Sequence, residues 1–356
     1  MTLEEILKLE PYSLKKTEKE KLFNTFLSDL SKHHHSNCDP YRKIMDSIGF
    51  DVSKKHFHTE IPFLPVELFK TNELISTNKA DTVKTLSSSG TSGQNKSLIY
   101  LDKENAANQT KALTRIVSSF IGNKRMPMII IDSESEVHNR TNISARAAGV
   151  IGYSIFGSKR MFALNNKMEL NIDLLEAFIK QHEGEPIFIF GFTFMIFQYF
   201  YKALISSGKK LNLSSAVLIH GGGWKKLEKE SVSATDFRNK LYEVCEIRNV
   251  FDYYGMAEQT GSIFMQCEHG HYHASVFSDI VIRRPLDFSI ANAGEEGIIQ
   301  VLSLLPKSYP GHSLLTSDKG ILLGEDNCSC HRLGKYFKIT GRLKHAELRG
   351  CSDSYE

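Results

Sequence analysis

ENAANQTKALTRIVSSF, Glu104–Phe120, leads after five residues into MPMIIID, Met126–Asp132. The first stretch repeats apolar residues at helical spacing. The second is an apolar run too short for an ordinary helix, and it reads as a strand buried on both faces. The same alternation extends outward on both sides. TVKTL (Thr82–Leu86), SLIYL (Ser97–Leu101), PIFIF (Pro186–Phe190) and SAVLIH (Ser215–His220) read as short strands, and IDLLEAFIKQH (Ile172–His182) as a second amphipathic helix. Strands separated by helices predict an α/β fold with a mainly parallel sheet flanked by helices. Upstream, KEKLFNTFLSDL (Lys19–Leu30) has helical periodicity, and the turn-rich IPFLPVELF (Ile61–Phe69) closes the region. The expected organisation is a helical N-terminal region over 1–75, a core over 76–340 and a hinge-like tail over 341–356.

Composition narrows the function classes. With 356 residues and 41% hydrophobic content the chain buries a sizeable core. Its 44 Lys+Arg against 41 Asp+Glu are spread along the chain, which argues against a nucleic-acid partner. Two glutamates among the first five residues, with no apolar segment behind them, argue against a secretory signal and point to the cytoplasm. The run IFIFGFTFMIFQYFY, Ile187–Tyr201, is too short to span a membrane and is interrupted by Gly191 and Gln198. It reads as a buried strand, turn and helix; Phe188, Phe190, Phe192 and Phe194 suit a sheet core and an apolar substrate wall equally. His33, His34 and His35 read as a solvated loop. Each of the six cysteines is a buried hydrophobe, a metal ligand or a nucleophile.

Five stretches carry chemistry. Between Ser87 and Ser97 lie five serines, a threonine, two glycines and a lysine. Gly90 and Gly93 let amides and hydroxyls converge on an anion, and Lys96 adds charge. Asn95 stands where a Walker A loop has its second glycine, and Ser97 leads into a strand, so a P-loop NTPase is disfavoured. A slack loop and a phosphate cradle both fit these residues. In DYYGMAEQTG (Asp252–Gly261) the tyrosines offer a flat face to a purine and Glu258 offers a hard oxygen to Mg²⁺. In HGGGWKK (His220–Lys226) the glycines leave a strand end open to a nucleobase edge. In TSDKG and ITGRLKHAELRG, Asp318 suits ribose hydroxyls and Arg342 the ribose or the α-phosphate. FMQCEHGHYH (Phe264–His273) and NCSCH (Asn327–His331) gather thiols and imidazoles of the kind that bind zinc.

The order of these elements resembles the adenylate-forming superfamily, which activates carboxylates with ATP, over roughly Thr85 to Gly350. That resemblance implies that Ser88, Ser89, Gly90, Thr91, Ser92, Gly93 and Lys96 hold the β- and γ-phosphates. It also implies adenine against Tyr254 and the Gly222–Gly223 turn, Mg²⁺ on Glu258, and ribose on Asp318 and Arg342. Members of the phenylacetate-CoA ligase branch have a comparable Cys…His…Cys-x-Cys set, which Cys267, His273, Cys328 and Cys330 match, so a structural Zn²⁺ is expected there.

Superfamily members usually continue past the Gly-Arg hinge into a mobile domain with a catalytic lysine, whereas this sequence stops at Glu356. Its ending GRLKHAELRGCSDSYE, with FLPVELFK (Phe63–Lys70) near the start, is similar to the acyl-protein synthetase (LuxE-type) family. The resemblance implies ATP-dependent conversion of a long-chain fatty acid to acyl-AMP and transfer of the acyl group to Cys351, for delivery to a reductase or carrier protein. A thiolate cannot expel oxide from a carboxylate, so AMP is needed as leaving group; Lys344, His345 and Arg349 would favour the thiolate if they fold near it. The alternatives are a CoA or carrier-protein ligase of the phenylacetate-CoA ligase type, and a catalytically silent nucleotide-binding subunit.

Overall fold

The computed structural model describes residues 1–88, 96–137 and 143–343. By packing, the described chain divides into two units, one built from Met1–Phe120 and the residues from Gly255 onward, the other from Ile121–Tyr254. The 76–340 range therefore contributes to both.

The Ile121–Tyr254 unit is the parallel one. Its strands run Gly157–Leu164, Met126–Ser133, Phe188–Phe192, Val217–Gly221 and Asn249–Tyr254 in spatial order, all parallel. Side chains alternate between the two faces. Phe188, Phe190 and Phe192 share one face, where Tyr153 of helix Ala145–Tyr153 stacks on Phe190 with ring centroids 4.1 Å apart. Ile129, Ile131, Ile189, Leu218 and Val250 belong to the core on the opposite face, covered by residues such as Phe200, Phe237 and Leu241. The helices begin on side-chain caps: Ser144 Oγ accepts from Ala147 N–H, Asn171 Oδ1 from Leu174 N–H and Ser233 Oγ from Asp236 N–H. Arg146 is fully buried, and its Nε donates to Asp132 Oδ2 at 2.8 Å, which ties helix Ala145–Tyr153 to the carboxyl end of the Met126–Ser133 strand.

The run Ile187–Tyr201 divides as expected into strand and helix. Its strand ends at Phe192, and Thr193–Met195 opens a helix that widens to π geometry over Ile196–Tyr201. Phe188, Phe190 and Phe192 are almost fully buried, so these rings fill the sheet core. Among the described residues no helix is long and apolar enough to cross a membrane.

The other unit departs from the parallel expectation. Strands Ser278–Arg283, Glu296–Ser303, Ser313–Glu325 and Lys335–Arg342 pair antiparallel in that order, followed by Tyr272–His273 and Phe264–Gln266. These strands return on themselves through turns, which only antiparallel pairing permits over such short connections. Strands Thr82–Ser87 and Leu98–Asp102 form a hairpin that flanks the Ser/Thr/Gly loop.

Helix Lys16–Asn37 packs on this unit with Phe23, Leu27, Leu30 and His34 buried along one stripe. The His33–His35 loop expectation is corrected here. The three histidines lie on this helix, and His34 is fully buried, stacked on His312 with centroids 4.8 Å apart and bonded to Ser76 Oγ at 2.8 Å.

A buried ion cluster fastens the same helix to the sheet. Lys19 Nζ lies 3.5 Å from Asp279 Oδ1, Lys335 Nζ 2.9 Å from Asp279 Oδ2, and His58 Nε2 3.6 Å from that oxygen. Burial alone would raise the Asp279 pKa, but Lys19, Lys335 and His58 together hold it well below the usual range. Burial pulls Lys19 down as well, so two ammonium groups share one carboxylate. His58 donates from Nδ1 to Asn24 Oδ1 at 3.0 Å, and burial depresses its pKa to about 4.

A histidine held below its unfolded value contributes stability that is complete above about pH 6.5 and is lost as pH falls toward 4. Between pH 7 and pH 5 this one group should cost about 2 kcal/mol of unfolding free energy. Urea unfolding should show that loss in the wild type and a reduced slope in His58→Gln. Equal slopes in the two proteins would remove His58 as the cause.

Candidate active site and metal centre

The hairpin closes the foot of the Ser/Thr/Gly loop with two bonds. Ser88 N–H donates to Ser97 O at 3.1 Å, and Ser97 N–H donates to Ser88 Oγ at 3.0 Å. Lys96 stands exposed at that foot. The interior positions Ser89, Gly90, Thr91, Ser92 and Gly93 lie outside the described residues.

Glu258 sits on the short 3₁₀ turn Ala257–Gln259 and is buried. Gln259 anchors the turn by donating from Nε2 to Gly311 O at 2.7 Å and Val301 O at 3.2 Å. Gly261, at φ +85°, is obligatory: a Cβ there would come within 2.7 Å of Gln109 O. Burial raises the Glu258 pKa, and its own amide, Ser97 and Lys70 partly oppose that rise. Ser97 Oγ is buried and has no hydrogen-bond partner of good geometry among the described residues, yet it lies close enough to lower the Glu258 pKa. The foot of the loop and the carboxyl group are thus neighbours. A buried carboxyl group whose pKa stays raised despite Lys70 is in the electrostatic condition that a hard divalent ion relieves.

Asp318 and Arg342 face each other across two antiparallel strands, and Arg342 Nε donates to Asp318 Oδ1 at 2.8 Å. The two residues expected at a ribose form one ion pair, with Arg342 the more exposed partner.

The remaining nucleotide-site candidates belong to the parallel unit. Gly222 and Gly223 adopt φ of +82° and +68°, and a Cβ on Gly222 would meet the Phe192 ring at 2.8 Å. His220 steadies this turn. Thr193 Oγ1 spends its proton on Gly221 O at 3.1 Å, so it accepts from His220 Nδ1–H at 2.9 Å. Burial lowers the His220 pKa, which keeps the imidazole neutral. Tyr254 ends the strand Asn249–Tyr254 and is half-buried, while its neighbour Tyr253 packs beside Tyr153.

The four expected metal residues converge. Ligand atoms of Cys267, His273, Cys328 and Cys330 all lie within 4.8 Å of one another. Tetrahedral zinc with thiolates at about 2.3 Å brings its donors about 3.8 Å apart, so the set needs only a slight contraction. Cys267 and His273 bracket a tight turn in which Cys267 N–H donates to His271 O at 2.8 Å. Cys328 and Cys330 lie in a loop pinched where Gly334 N–H donates to Asp326 Oδ1 at 2.7 Å. Arg332 links the two loops by donating to Glu268 Oε2 at 2.8 Å. Cys330 Sγ is 3.3 Å from His273 Nε2, while the buried His273 Nδ1 has no partner among the described residues. Burial raises the thiol pKa at Cys267 and pushes that of Cys328 up to about 12. His269, His271 and His331 are not part of the set.

Cys38 and Cys245 are buried, with thiol pKa values raised by burial, to about 12 for Cys245. Cys351 lies outside the described residues. Sequence reasoning missed Ser97 beside Glu258, the Thr193–His220 support and the Arg146–Asp132 pair, because each depends on a contact between distant residues.

Comparison with known proteins bears on the family and the fold. The long-chain-fatty-acid–luciferin-component ligase of Vibrio harveyi is 21% identical over 345 residues, covering 94% of this chain and 87% of that protein. The open conformation of 2-hydroxyisobutyryl-CoA ligase, in complex with 2-HIB-AMP and CoA, superposes with TM-score 0.73 at 13% identity, covering 94% of this chain and 77% of that one. The same ligase in its postadenylation state gives 0.72 at 14% identity, covering 93% and 69%. The fold is that of the N-terminal domain of adenylate-forming ligases, mixed α/β with helices around the sheet strands. Matched by the family model from residue 2 to residue 356, the chain belongs to the acyl-protein synthetase LuxE family.

Proposed function

We propose that the protein activates a long-chain fatty acid with ATP and passes the acyl group to the thiol of Cys351, from which a partner reductase takes it. The observation that carries this reading is the buried Glu258 beside Ser97 at the foot of the Ser/Thr/Gly loop, in a chain of the acyl-protein synthetase family. In the first step a carboxylate oxygen of the acid bonds to the α-phosphorus, the bond from that phosphorus to the bridging oxygen breaks, and pyrophosphate leaves with the electron pair. Lys96 and the loop amides stabilise the charge on the departing phosphates. Glu258 would hold Mg²⁺, which supplies Lewis-acid charge to the triphosphate. Asp318 and Arg342 orient the ribose, and Tyr254 with the Gly222–Gly223 turn receives the adenine. In the second step the Cys351 thiolate attacks the acyl carbon and AMP departs, leaving a thioester. ATP as co-substrate and five free cysteines among the described residues suit a cytoplasmic setting. Pyrophosphate exchange across a panel of carboxylic acids tests the reading; maximal exchange with long-chain fatty acids is expected, and exchange with none of them refutes it.

The donor set of Cys267, His273, Cys328 and Cys330 suits one structural zinc: three thiolates and one imidazole, enclosed on two pinched loops. Protein purified without chelator should contain about one zinc per chain. Cys267→Ser should lose the metal and melt at a lower temperature. Metal-free protein of undiminished stability would overturn the assignment.

A further inference from the structure

The segment FLPVELFK, Phe63–Lys70, has so far had no chemical role, yet the fold sets it against three parts of the candidate site in its own unit. Leu64–Pro65 pairs in parallel with Leu314–Leu315 of the strand that carries Asp318, and Val66 N–H donates to Leu315 O at 3.1 Å. Ser317 Oγ, one residue before Asp318, donates to Glu67 Oε1 at 2.6 Å. Helix Leu68–Thr71 packs on strand Leu98–Asp102, which begins two residues after Lys96.

Phe69 fixes the rotation of this short helix. It is buried edge-on to Tyr309, with ring centroids 6.2 Å apart. Tyr309 in turn shapes the floor under Glu258: a Cβ on Gly311 would meet the Tyr309 ring at 2.3 Å and Glu258 O at 2.9 Å. Lys70 follows directly and is half-buried. Its charge reaches Glu258, lowering the carboxyl pKa against the burial that raises it, while Glu67 acts in the opposite sense. The Leu64–Leu314 pairing, the Glu67–Ser317 bond and the Phe69–Tyr309 contact thus bring a half-buried lysine to the part of the unit that holds Glu258, where an anion at that site would meet its charge.

We infer that Lys70 is a further catalytic residue, its Nζ binding the β- and γ-phosphates of ATP and the departing pyrophosphate. The inference rests on the adenylation reading. Lys70 takes no proton in that step; it stabilises the electron pair that leaves with pyrophosphate when the bond from the α-phosphorus breaks. Assignment to the β- and γ-phosphates sets a distinct expectation: loss of Lys70 removes affinity for the phosphate end of the nucleotide and leaves AMP recognition alone.

The test measures binding of Mg·ATP, magnesium pyrophosphate and AMP by calorimetry, without any acid substrate, for the wild type, Lys70→Met and Lys70→Arg. Lys70→Met should weaken Mg·ATP and pyrophosphate by about 10- to 100-fold, as loss of one charge-assisted phosphate contact implies, with AMP unchanged and most of the affinity restored in Lys70→Arg. Its pyrophosphate exchange rate should fall in parallel, and its melting temperature should stay near that of the wild type. Unchanged Mg·ATP affinity, or equal losses for ATP and AMP, overturns the assignment. A wild type that exchanges pyrophosphate with no acid, while Lys70→Met still loses pyrophosphate affinity, defeats the adenylation reading and leaves the phosphate contact standing.

Discussion

Cys351→Ser is expected to abolish acylation of the protein while leaving acyl-AMP formation intact. The chain has six cysteines, and the structure accounts for five of them in other ways. Cys38 is buried, and Cys245 is buried with its Sγ donating to Leu241 O at 2.9 Å; both thiols hold their protons above the usual range because of burial. Cys267, Cys328 and Cys330 converge with His273. Burial at Cys38 and Cys245, and convergence in one cluster at the other three, suit none of the five to carrying an acyl group to a partner. Cys351 follows Gly350 in a polar stretch containing Ser352, Asp353 and Ser354. Incubation with ATP and labelled fatty acid should leave hydroxylamine-sensitive label on the wild type. The serine variant should carry about 100-fold less, since a hydroxyl ionises far less readily than a thiol at neutral pH. Its pyrophosphate exchange should match the wild type. Label that persists on Cys351→Ser, or maps to Cys38 or Cys245, would make another residue the acceptor and favour transfer to a soluble thiol such as CoA.

The second large effect concerns Glu258. Glu258→Gln should lower pyrophosphate exchange by about 100- to 1000-fold, the range expected when a group stabilising transition-state charge is lost. The stability consequence runs the other way. A carboxyl group whose folded pKa is raised contributes stability at low pH and loses it as pH rises from the unfolded value through the folded one, so burial of the Glu258 carboxyl group works against the unliganded fold as pH increases. The glutamine variant should therefore melt no lower than the wild type in the absence of nucleotide, and added Mg·ATP should stabilise it less. A variant that loses activity and melting temperature together would indicate a structural role instead. The same logic sets Glu258 apart from Asp279, whose depressed pKa marks it as a structural carboxylate that Lys19 and Lys335 neutralise.

Much of this was legible along the chain. The alternation of ENAANQTKALTRIVSSF with MPMIIID, and of IDLLEAFIKQH with PIFIF, fixed a parallel sheet with helices on its faces, because periods of 3.6 and 2 are local properties of the backbone. The ligand types of the metal set were equally local, being two short motifs rich in cysteine and histidine. The antiparallel half was not legible. Strands such as Ser313–Glu325 mix apolar, charged and glycine residues, and their direction depends on which neighbour they meet.

Charges and histidines followed the same division. His34 sits among polar neighbours in sequence and becomes fully buried because helix Lys16–Asn37 turns that face onto His312 and Ser76. The Phe188–Phe192 stripe suited a substrate wall or a core, and the packing of Tyr153 on Phe190 made it core. FLPVELFK was recognisable as a motif, but only its pairing with Leu314–Leu315 sets it against the strand that carries Asp318. Sequence by itself determined residue types, local periods and family. Tertiary structure decided which groups lose water and which charges meet, since desolvation and ion pairing depend on contacts between residues far apart in the chain.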